Sequence, residues 1–172
     1  PLPTERFYHT ATRLASGSVL VAGGSNGGAL NTAYVYDPSA NTWTATSTSL
    51  NATRMNHTAT LLGDGRVLVV GGYAGVGALN SAEYYNPGPN SWAVDTALTV
   101  GRQQHTATLI TAGPAAGKVL VAGGFGTTTL DDAWLYTPVT GASGAWAAAG
   151  RLAGARYLHT APLLADVTNR IL

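Results

Sequence analysis

The sequence predicts an all-β fold built from repeated four-stranded antiparallel sheets, and three observations lead to this prediction. The stretch "RMNHTATLLGDGRVLVVGGY", which begins at Arg54, returns with small changes at Arg6, Arg102 and Arg156. The copies at Arg6, Arg54 and Arg102 share further residues in the same order, a glycine pair, a tyrosine and a tryptophan. The 22 glycines and 8 prolines stand between short apolar alternations, which is typical of turns that join strands.

Each repeat divides into four strands, which the second repeat illustrates in order. The first is "HTATLL", and the turn "GDG" leads to the second, "RVLVVGG". The third is "AEYYNP", and the turn "NPGPN" leads to the fourth, which begins at the tryptophan of "SWAVDTAL". The apolar "VLVV" has no polar face, which indicates a strand buried on both sides.

Four strands repeated about every 50 residues are typical of β-propeller blades, which stand radially around a central axis. The small alanines and threonines of the first strand suit the crowded centre of such a ring. Pro162 falls in the fourth copy of this strand, and proline is tolerated at a sheet edge because no donor is needed there. The first strand is therefore predicted to be the innermost one.

The positions shared by the repeats are predicted to be structural. Four histidines in register cannot converge on one metal ion, because equivalent residues of adjacent blades are separated by about 10 Å. The arginines are expected to bond backbone carbonyls, the glycines to allow close backbone approach, and the aromatic residues to fill the seam between blades. These positions are Arg6, His9, Gly23, Gly24, Tyr36, Trp43, Arg54, His57, Gly71, Gly72, Tyr85, Trp92, Arg102, His105, Gly123, Gly124, Tyr136, Trp146, Arg156 and His159.

The glycine pair, the tyrosine and the tryptophan occur at the spacing of the kelch repeat, so the whole chain resembles a kelch β-propeller. The segment "HTATLLGDGRVLVVGG" is similar to the repeats of bacterial kelch and galactose-oxidase-like propellers. This resemblance implies a non-catalytic scaffold or binding module that recognises a protein or a glycan. It also implies a secreted or surface location, outside a bacterial cell. The competing hypothesis is part of a galactose-oxidase-like or sugar-modifying enzyme.

That enzyme class requires a cysteine cross-linked to a tyrosine, together with histidine ligands that do not repeat. The chain has no cysteine, and each of its four histidines is a repeat histidine. Catalytic residues would therefore have to lie outside this sequence. The residues present lead us to expect no enzymatic activity, no cofactor and no metal.

Charge and hydrophobicity exclude two classes of partner. Charged residues make up 10% of the chain and the formal net charge is +1, so no basic surface is available for nucleic acid. No apolar run approaches the roughly 18 residues of a membrane span.

Candidate ligand-binding residues are expected where the repeats differ. The loops after the glycine pairs, "SNGGALN", "YAGVGALN" and "FGTTTLD", share one face with the segments that lead into each arginine. Loops on a fixed scaffold are the usual place for binding residues. Tyr73, Asn80, Phe125 and Asp131 are therefore the candidates.

Other local features are predicted to be structural or incidental. The third repeat is expanded at "TAGPAAGK" and "TPVTGASGAW", which are interpreted as tolerated loop insertions. The sequons at Asn51 and Asn56 are interpreted as accidental, and the pair Asp131–Asp132 as a solvated turn rather than a calcium site.

The sequence spans about three and a half blades, at residues 6–50, 54–98 and 102–152, with one inner strand and the start of the next at 156–172. Closed propellers have at least four blades. The expectation is a partial propeller, residues 1–172, excerpted from a larger seven-bladed protein whose remaining blades cover the exposed faces. A second copy of the chain is the less favoured way of closing the ring.

Overall fold

The computed structural model of the chain describes residues 1–163, which form twelve β-strands and no helix. No helix among these residues could therefore cross a membrane. The expected continuation of the fourth repeat to residue 172 lies partly outside the described residues. The strands are β1 (Thr10–Arg13), β2 (Val19–Ala22), β3 (Ala33–Asp37), β4 (Thr42–Ala45), β5 (Thr58–Leu61), β6 (Val67–Val70), β7 (Ala82–Asn86), β8 (Ser91–Asp95), β9 (Thr106–Leu109), β10 (Val119–Ala122), β11 (Asp132–Val139) and β12 (Ala142–Arg151).

The strands form three separate four-stranded antiparallel sheets, which confirms the predicted all-β architecture of about three blades. Blade 1 contains β1–β4, blade 2 contains β5–β8 and blade 3 contains β9–β12, each in sequence order. The first strands of consecutive blades, β1, β5 and β9, contact one another. These strands are therefore the innermost ones, and the other strands fan outward from them.

The hydrophobic core lies between the blades rather than within one sheet. Between blades 1 and 2, Leu20 and Ala22 pack with Val67, Val69 and Tyr85. A second cluster of the same kind joins blade 2 to blade 3. Because side chains alternate along a strand, β6 contributes Val67 and Val69 to the first layer and Leu68 and Val70 to the second. This explains why all four residues of β6 are buried.

The tyrosine and tryptophan of each repeat face each other across the third and fourth strands. In blade 2, Tyr85 is paired with Trp92, their ring centroids are 5.4 Å apart, and both belong to the core shared with blade 1. The equivalent residues of blade 1, Tyr36 and Trp43, are only partly buried. The aromatic pair therefore covers the sheet face that is turned toward the preceding blade.

The arginine and the glycine pair join one blade to the next. Arg54 donates a hydrogen bond from Nη1 to the carbonyl of Gly71 in its own blade, at 2.6 Å. Its own carbonyl accepts the N–H of Gly24 in the preceding blade, at 2.8 Å. Gly23 and Gly24 have φ of 60° and 98°, and a Cβ on Gly23 would lie 2.5 Å from the Arg54 carbonyl oxygen. Glycine is required here by both conformation and space.

The histidines of the second, third and fourth repeats each form a hydrogen bond with the preceding blade. A hydrogen bond of 2.9 Å joins His57 Nε2 to Thr10 Oγ1, and bonds of 2.9 and 3.1 Å join His105 to Thr58 and His159 to Thr106. Burial, followed by the nearby charge of Arg54, lowers the pKa of His57 to about 3. Burial likewise lowers the pKa of His105 to about 3. Both rings are therefore neutral at ordinary pH.

Each arginine also has a local polar partner, and this partner differs between repeats. In blade 2, Arg54 forms an ion pair with Glu83, and both side chains are at most 1% exposed. The Glu83 carboxylate also accepts the backbone N–H groups of Asn51 and Ala52. In blade 3, Arg102 pairs instead with Asp132 at 2.9 Å. In blade 1, the equivalent arginine forms no ion pair with an acidic residue among the described residues.

The expanded segment "TAGPAAGK" of blade 3 is a loop between β9 and β10, as predicted. The segment "TPVTGASGAW" is not a simple loop insertion, because it lengthens β11 and β12 into a long hairpin. Arg66 of blade 2 donates to the carbonyls of Val139 and Ala142 on either side of the hairpin turn, at 2.7 and 3.3 Å. The buried carboxylate of Asp95 accepts the N–H of Gly144 at 2.9 Å. These contacts from blade 2 stabilise the strand extension, and the sequence of blade 3 alone does not contain them.

The buried histidines make stability depend on pH. A pKa lowered from 6.5 to about 3 means that the folded state binds fewer protons than the unfolded state in this interval. The stability that depends on neutral His57 is therefore complete above pH 6.5, and it is lost progressively as the pH falls from 6.5 toward 3. We expect His57→Gln to reduce the slope of the unfolding free energy against pH by about 1.4 kcal/mol per pH unit below pH 6.

Urea unfolding of the wild type and variants at pH 7, 6 and 5 measures this slope. His9→Gln is the matched control, because His9 is exposed. Equal slopes in the wild type and His57→Gln would show that His57 binds no additional proton on unfolding, and would contradict its lowered pKa in the folded state.

Candidate functional site

The candidate site lies on the face formed by the loops after the glycine pairs and by four short segments that we call the R-x-x-H segments. These are Arg6–His9, Arg54–His57, Arg102–His105 and Arg156–His159. The residue that follows each arginine forms a β-bridge with the residue that follows the glycine pair of the same blade. These bridges are Phe7–Ser25, Met55–Tyr73 and Gln103–Phe125. The two kinds of segment therefore share one surface, at the end of the blades where each first strand begins.

The second variable residue of each R-x-x-H segment lies closer to the axis. The N–H of Asn56 donates to the carbonyl of Tyr8 at 3.1 Å, Gln104 donates to Asn56 at 3.0 Å, and Leu158 donates to Gln104 at 3.0 Å. These hydrogen bonds connect the four repeats in sequence. We call Tyr8, Asn56, Gln104 and Leu158 the inner ring.

All four inner-ring residues have a left-handed backbone, with φ between 54° and 57°. Asparagine tolerates this conformation, but a leucine or a tyrosine in it costs about 1–2 kcal/mol. The chain uses glycine at many other positive-φ positions, so glycine was available as a solution. Keeping side chains at strained positions is a feature of functional sites.

Exposed apolar side chains lie at the two ends of the inner ring, in the first and fourth repeats, each of which has a neighbouring repeat on only one side within residues 1–163. At one end, Phe7 and Tyr8 are 52% and 59% exposed, and their rings are in edge-to-face contact at 4.9 Å. At the other end, Tyr157 and Leu158 are 46% and 72% exposed, and Tyr157 contacts Phe125 at 5.7 Å. Among residues 1–163, these four account for half of the large hydrophobic side chains that are exposed.

The middle of the ring is polar but uncharged. Asn56 donates from Nδ2 to Oε1 of Gln103 at 3.4 Å, and Gln104 lies beside them. The arginines beneath these loops, Arg54 and Arg102, are fully buried and paired with acids. The surface offers amide donors and acceptors between two apolar ends.

The structure places the four predicted ligand residues in two groups. Tyr73 and Phe125 lie on the surface next to the R-x-x-H segments. Asn80 and Asp131 occupy equivalent positions nearer the rim, where their backbone carbonyls accept the N–H groups of Leu98 and Leu152. Asn80 Nδ2 also donates to the Leu98 carbonyl, and Asp131 forms an ion pair with an exposed arginine. The aromatic candidates and the polar candidates are therefore not brought together.

The two residues between each arginine and histidine were not among the predicted binding residues, although the sequence contains a signal for them. The arginine and histidine are constant, while the two residues between them are Phe-Tyr, Met-Asn, Gln-Gln and Tyr-Leu. Two variable positions between a constant arginine and a constant histidine indicate side chains that are not required for the fold.

Several other candidate chemistries are accounted for by structural contacts. Within residues 1–163, no group of three acidic, histidine or cysteine side chains could hold a metal ion. The amide of Asn51, the first sequon asparagine, donates to the carboxylate of Glu83. Asp132 accepts hydrogen bonds from Arg102 and from the Trp134 indole.

Clefts on the opposite face also have internally paired polar groups. Cavities of about 350 and 260 Å³ lie on either side of Asp64, with proline and glycine in their walls. The Asp64 carboxylate is paired with Arg66 at 2.7 Å, and Arg66 is held by the hairpin of blade 3. Lys118 also lines the smaller cleft, and its ammonium group forms no ion pair within residues 1–163.

The fold and this face define a β-propeller scaffold that presents variable loops. Residues 1–170 match the family model of the KLHDC2/KLHL20/DRC7 Kelch-repeats domain, so the chain belongs to the kelch-repeat family. The structure of YjhT is similar, with a TM-score of 0.72, 14% sequence identity and coverage of 91% of this chain. The chain spans 55% of the length of YjhT. No curated protein matches the sequence.

The left-handed backbone of the inner ring can be tested by a reciprocal exchange. Leu158→Asn places at the fourth position the residue that the second repeat has, and we expect it to stabilise the fold by about 1 kcal/mol. Asn56→Leu is expected to destabilise by a similar amount. Urea unfolding of both variants provides the measurement, and a change of the same sign in both would contradict the assignment of strain.

Proposed function

We propose that this chain is a non-catalytic binding module whose partner is recognised by the inner ring and the aromatic residues around it. The kelch propeller fold supports a protein-binding or scaffold role. The observation that carries the proposal is the left-handed backbone of all four inner-ring positions, where the side chain differs between repeats and none is glycine. These side chains contribute little to the core, so recognition is the function that best explains their retention.

A protein partner is favoured over a glycan partner. Exposed Phe7, Tyr8, Tyr157 and Leu158 provide the mixture of aromatic and aliphatic surface found at the centres of protein interfaces. A neutral glycan is the second candidate, because aromatic rings beside the amides of Asn56 and Gln104 could also stack on and hydrogen-bond a sugar.

We propose that the chain is part of a larger, seven-bladed propeller that is secreted or displayed on a bacterial surface. Tyr36 and Trp43 are partly exposed in blade 1, whereas Tyr85 and Trp92 are buried against a preceding blade. A further blade would cover the blade 1 pair in the same way. The resemblance of the "HTATLL" wording to bacterial propellers supports the bacterial, extracellular assignment.

A galactose-oxidase-like or sugar-modifying enzyme is the competing proposal. In the described residues the buried histidines are hydrogen-bonded to threonines of neighbouring blades, so catalysis would depend on other blades. An assay of the whole protein for hydrogen peroxide release from galactose distinguishes the oxidase from a binding module.

The binding proposal predicts the effect of two substitutions that keep the backbone unchanged. Peptides selected from a random phage-displayed library on the natural full-length protein should lose at least tenfold in affinity for the double variant Tyr8→Asn/Leu158→Asn. Asparagine already occupies this ring in blade 2, so the scaffold should remain folded.

Val94→Asn is the matched control, because Val94 is 60% exposed on an outer strand away from the ring. A parallel glycan array tests the second candidate. Ligands that bind the double variant as tightly as the wild type would refute this location of the site.

The proposal of a larger propeller predicts the mass of the protein in its natural source. We expect intact-mass spectrometry to detect a species at least twice the 17.5 kDa of this chain. A single species at 17.5 kDa would instead support closure by a second copy.

A further inference from the structure

We propose that the histidine of an R-x-x-H segment makes the contact between two blades sensitive to acid, so that protonation of the ring detaches the segment from the preceding blade while the sheets stay folded. This inference goes beyond the proposed binding function and does not depend on it. It concerns the contact of blade 1 with blade 2, which contains His57, and the contact of blade 2 with blade 3, which contains His105. Both partners of each contact lie within the described residues.

Residues of two blades enclose the ring of His57. Its Nε2 atom is hydrogen-bonded to Thr10 Oγ1 of blade 1 at 2.9 Å, and the residue is 5% exposed. A Cβ on Gly23 of blade 1 would lie 2.8 Å from Cε1 of the ring, and a Cβ on Gly72 of blade 2 would lie 2.9 Å from the histidine Cβ. The histidine therefore fills the space that the glycine pairs of the two blades leave between them.

This position accommodates a neutral imidazole but not an imidazolium. In the neutral ring, Nε2 is satisfied by the Thr10 hydroxyl, and Nδ1 can remain without a proton. Nδ1 of His57 is buried and has no hydrogen-bond partner within residues 1–163. Protonation would therefore add a second N–H group and a positive charge at a place where neither has a partner, and both are costly when buried.

The charged and titratable groups around His57 also oppose its protonation. Burial, followed by the electrostatic effects of Arg54, His105 and His9, lowers the pKa of His57 to about 3. Glu83, the acid that pairs with Arg54, also accepts two backbone N–H groups, and none of its hydrogen bonds is made with the ring. The imidazolium therefore gains stability only where the segment leaves blade 1 and the ring reaches solvent.

The contact between blade 2 and blade 3 has the same arrangement. His105 is 6% exposed, its Nε2 is hydrogen-bonded to Thr58 Oγ1 at 2.9 Å, and its buried Nδ1 has no partner within residues 1–163. Burial, followed by the electrostatic effects of Arg102 and His159, lowers the pKa of His105 to about 3. The carboxylate of Asp132 accepts hydrogen bonds from both terminal nitrogens of Arg102. Two consecutive contacts between blades thus contain an acid-sensitive histidine.

The segment that carries His57 can leave blade 1 without the unfolding of a sheet. It precedes β5, and three backbone hydrogen bonds join it to blade 1. These run from Arg54 N–H to the Leu30 carbonyl, from Asn56 N–H to the Tyr8 carbonyl and from Gly24 N–H to the Arg54 carbonyl. The hydrophobic layer between the two blades does not include His57. Because the layer can stay intact, opening of the segment costs less free energy than global unfolding.

Hydrogen–deuterium exchange of the natural full-length protein at pH 7 and pH 5, resolved by residue with mass spectrometry, tests this inference. The first pair of reporters is the amides of Arg54 and Asn56, and the second pair is those of Arg102 and Gln104, which are bonded across the next contact. One histidine with a pKa of about 3 in the closed contact and 6.5 in the open one makes opening about 25-fold more favourable at pH 5 than at pH 7. After correction for intrinsic exchange, the protection of both pairs should fall about 25-fold.

Two variants separate local from global opening. His57→Gln should abolish the fall in protection at the first pair of amides and leave it unchanged at the second, and His105→Gln should do the reverse. If the histidines act only through global unfolding, both rings are exposed together, so the fall in the wild type is at least about 600-fold and either variant reduces it equally at both pairs. That result would overturn the inference, and so would equal protection at pH 7 and pH 5 in the wild type, whether or not the variants fold.

Discussion

The joint between an arginine and the glycine pair of the preceding blade is the contact on which the rest of the structure depends. The Arg54 carbonyl accepts the N–H of Gly24, while its guanidinium holds the carbonyl of Gly71 in its own blade. One residue thereby fixes both blades relative to each other. The glycines cannot be replaced without a clash, because a Cβ on Gly24 would lie 2.8 Å from the Phe7 carbonyl. The position of every blade follows from this backbone contact.

The same joint determines where variable side chains can be placed. Arginine and histidine anchor the two ends of each R-x-x-H segment, so the two residues between them have a fixed backbone and free side chains. The fixed backbone includes the left-handed conformation at Asn56 and Leu158. The cost of that conformation at leucine is about 1–2 kcal/mol, which the blade contacts offset. A scaffold held elsewhere can therefore present residues that local propensity disfavours.

The difference between constant and variable positions explains how much of the fold and of the candidate site the sequence could predict. Strand order, the innermost strand and the blade number follow from constant residues, because each repeat must bury the same faces. The inner ring could not be predicted in the same way. Neither Tyr8 nor Leu158 is a residue type that favours positive φ, and the conformation is imposed by contacts between repeats. The long hairpin of blade 3 was also interpreted wrongly, since its stabilising donor, Arg66, belongs to another blade.

The sequence did predict Tyr73 and Phe125 on the variable face, because they directly follow the glycine pairs. It could not distinguish them from Asn80 and Asp131, which lie in the same loops. The aromatic pair and the polar pair differ in their tertiary contacts. The backbone of the polar pair joins the end of one blade to its own third strand, whereas Phe125 contacts the next repeat through Tyr157.

Two arginines of this protein are paired with acids inside the contacts between blades, and this has a consequence for recognition. Arg54 is paired with Glu83 and Arg102 with Asp132, although the acids come from different positions of the repeat. The joint tolerates this exchange because what it requires is a partner for the guanidinium, not a particular residue. Because Arg54 and Arg102 are buried with these acids, the centre of the face above them is neutral. In the proposed binding module, recognition depends on apolar contact and amide hydrogen bonds, and the two residues between an arginine and a histidine can be exchanged without changing the fold.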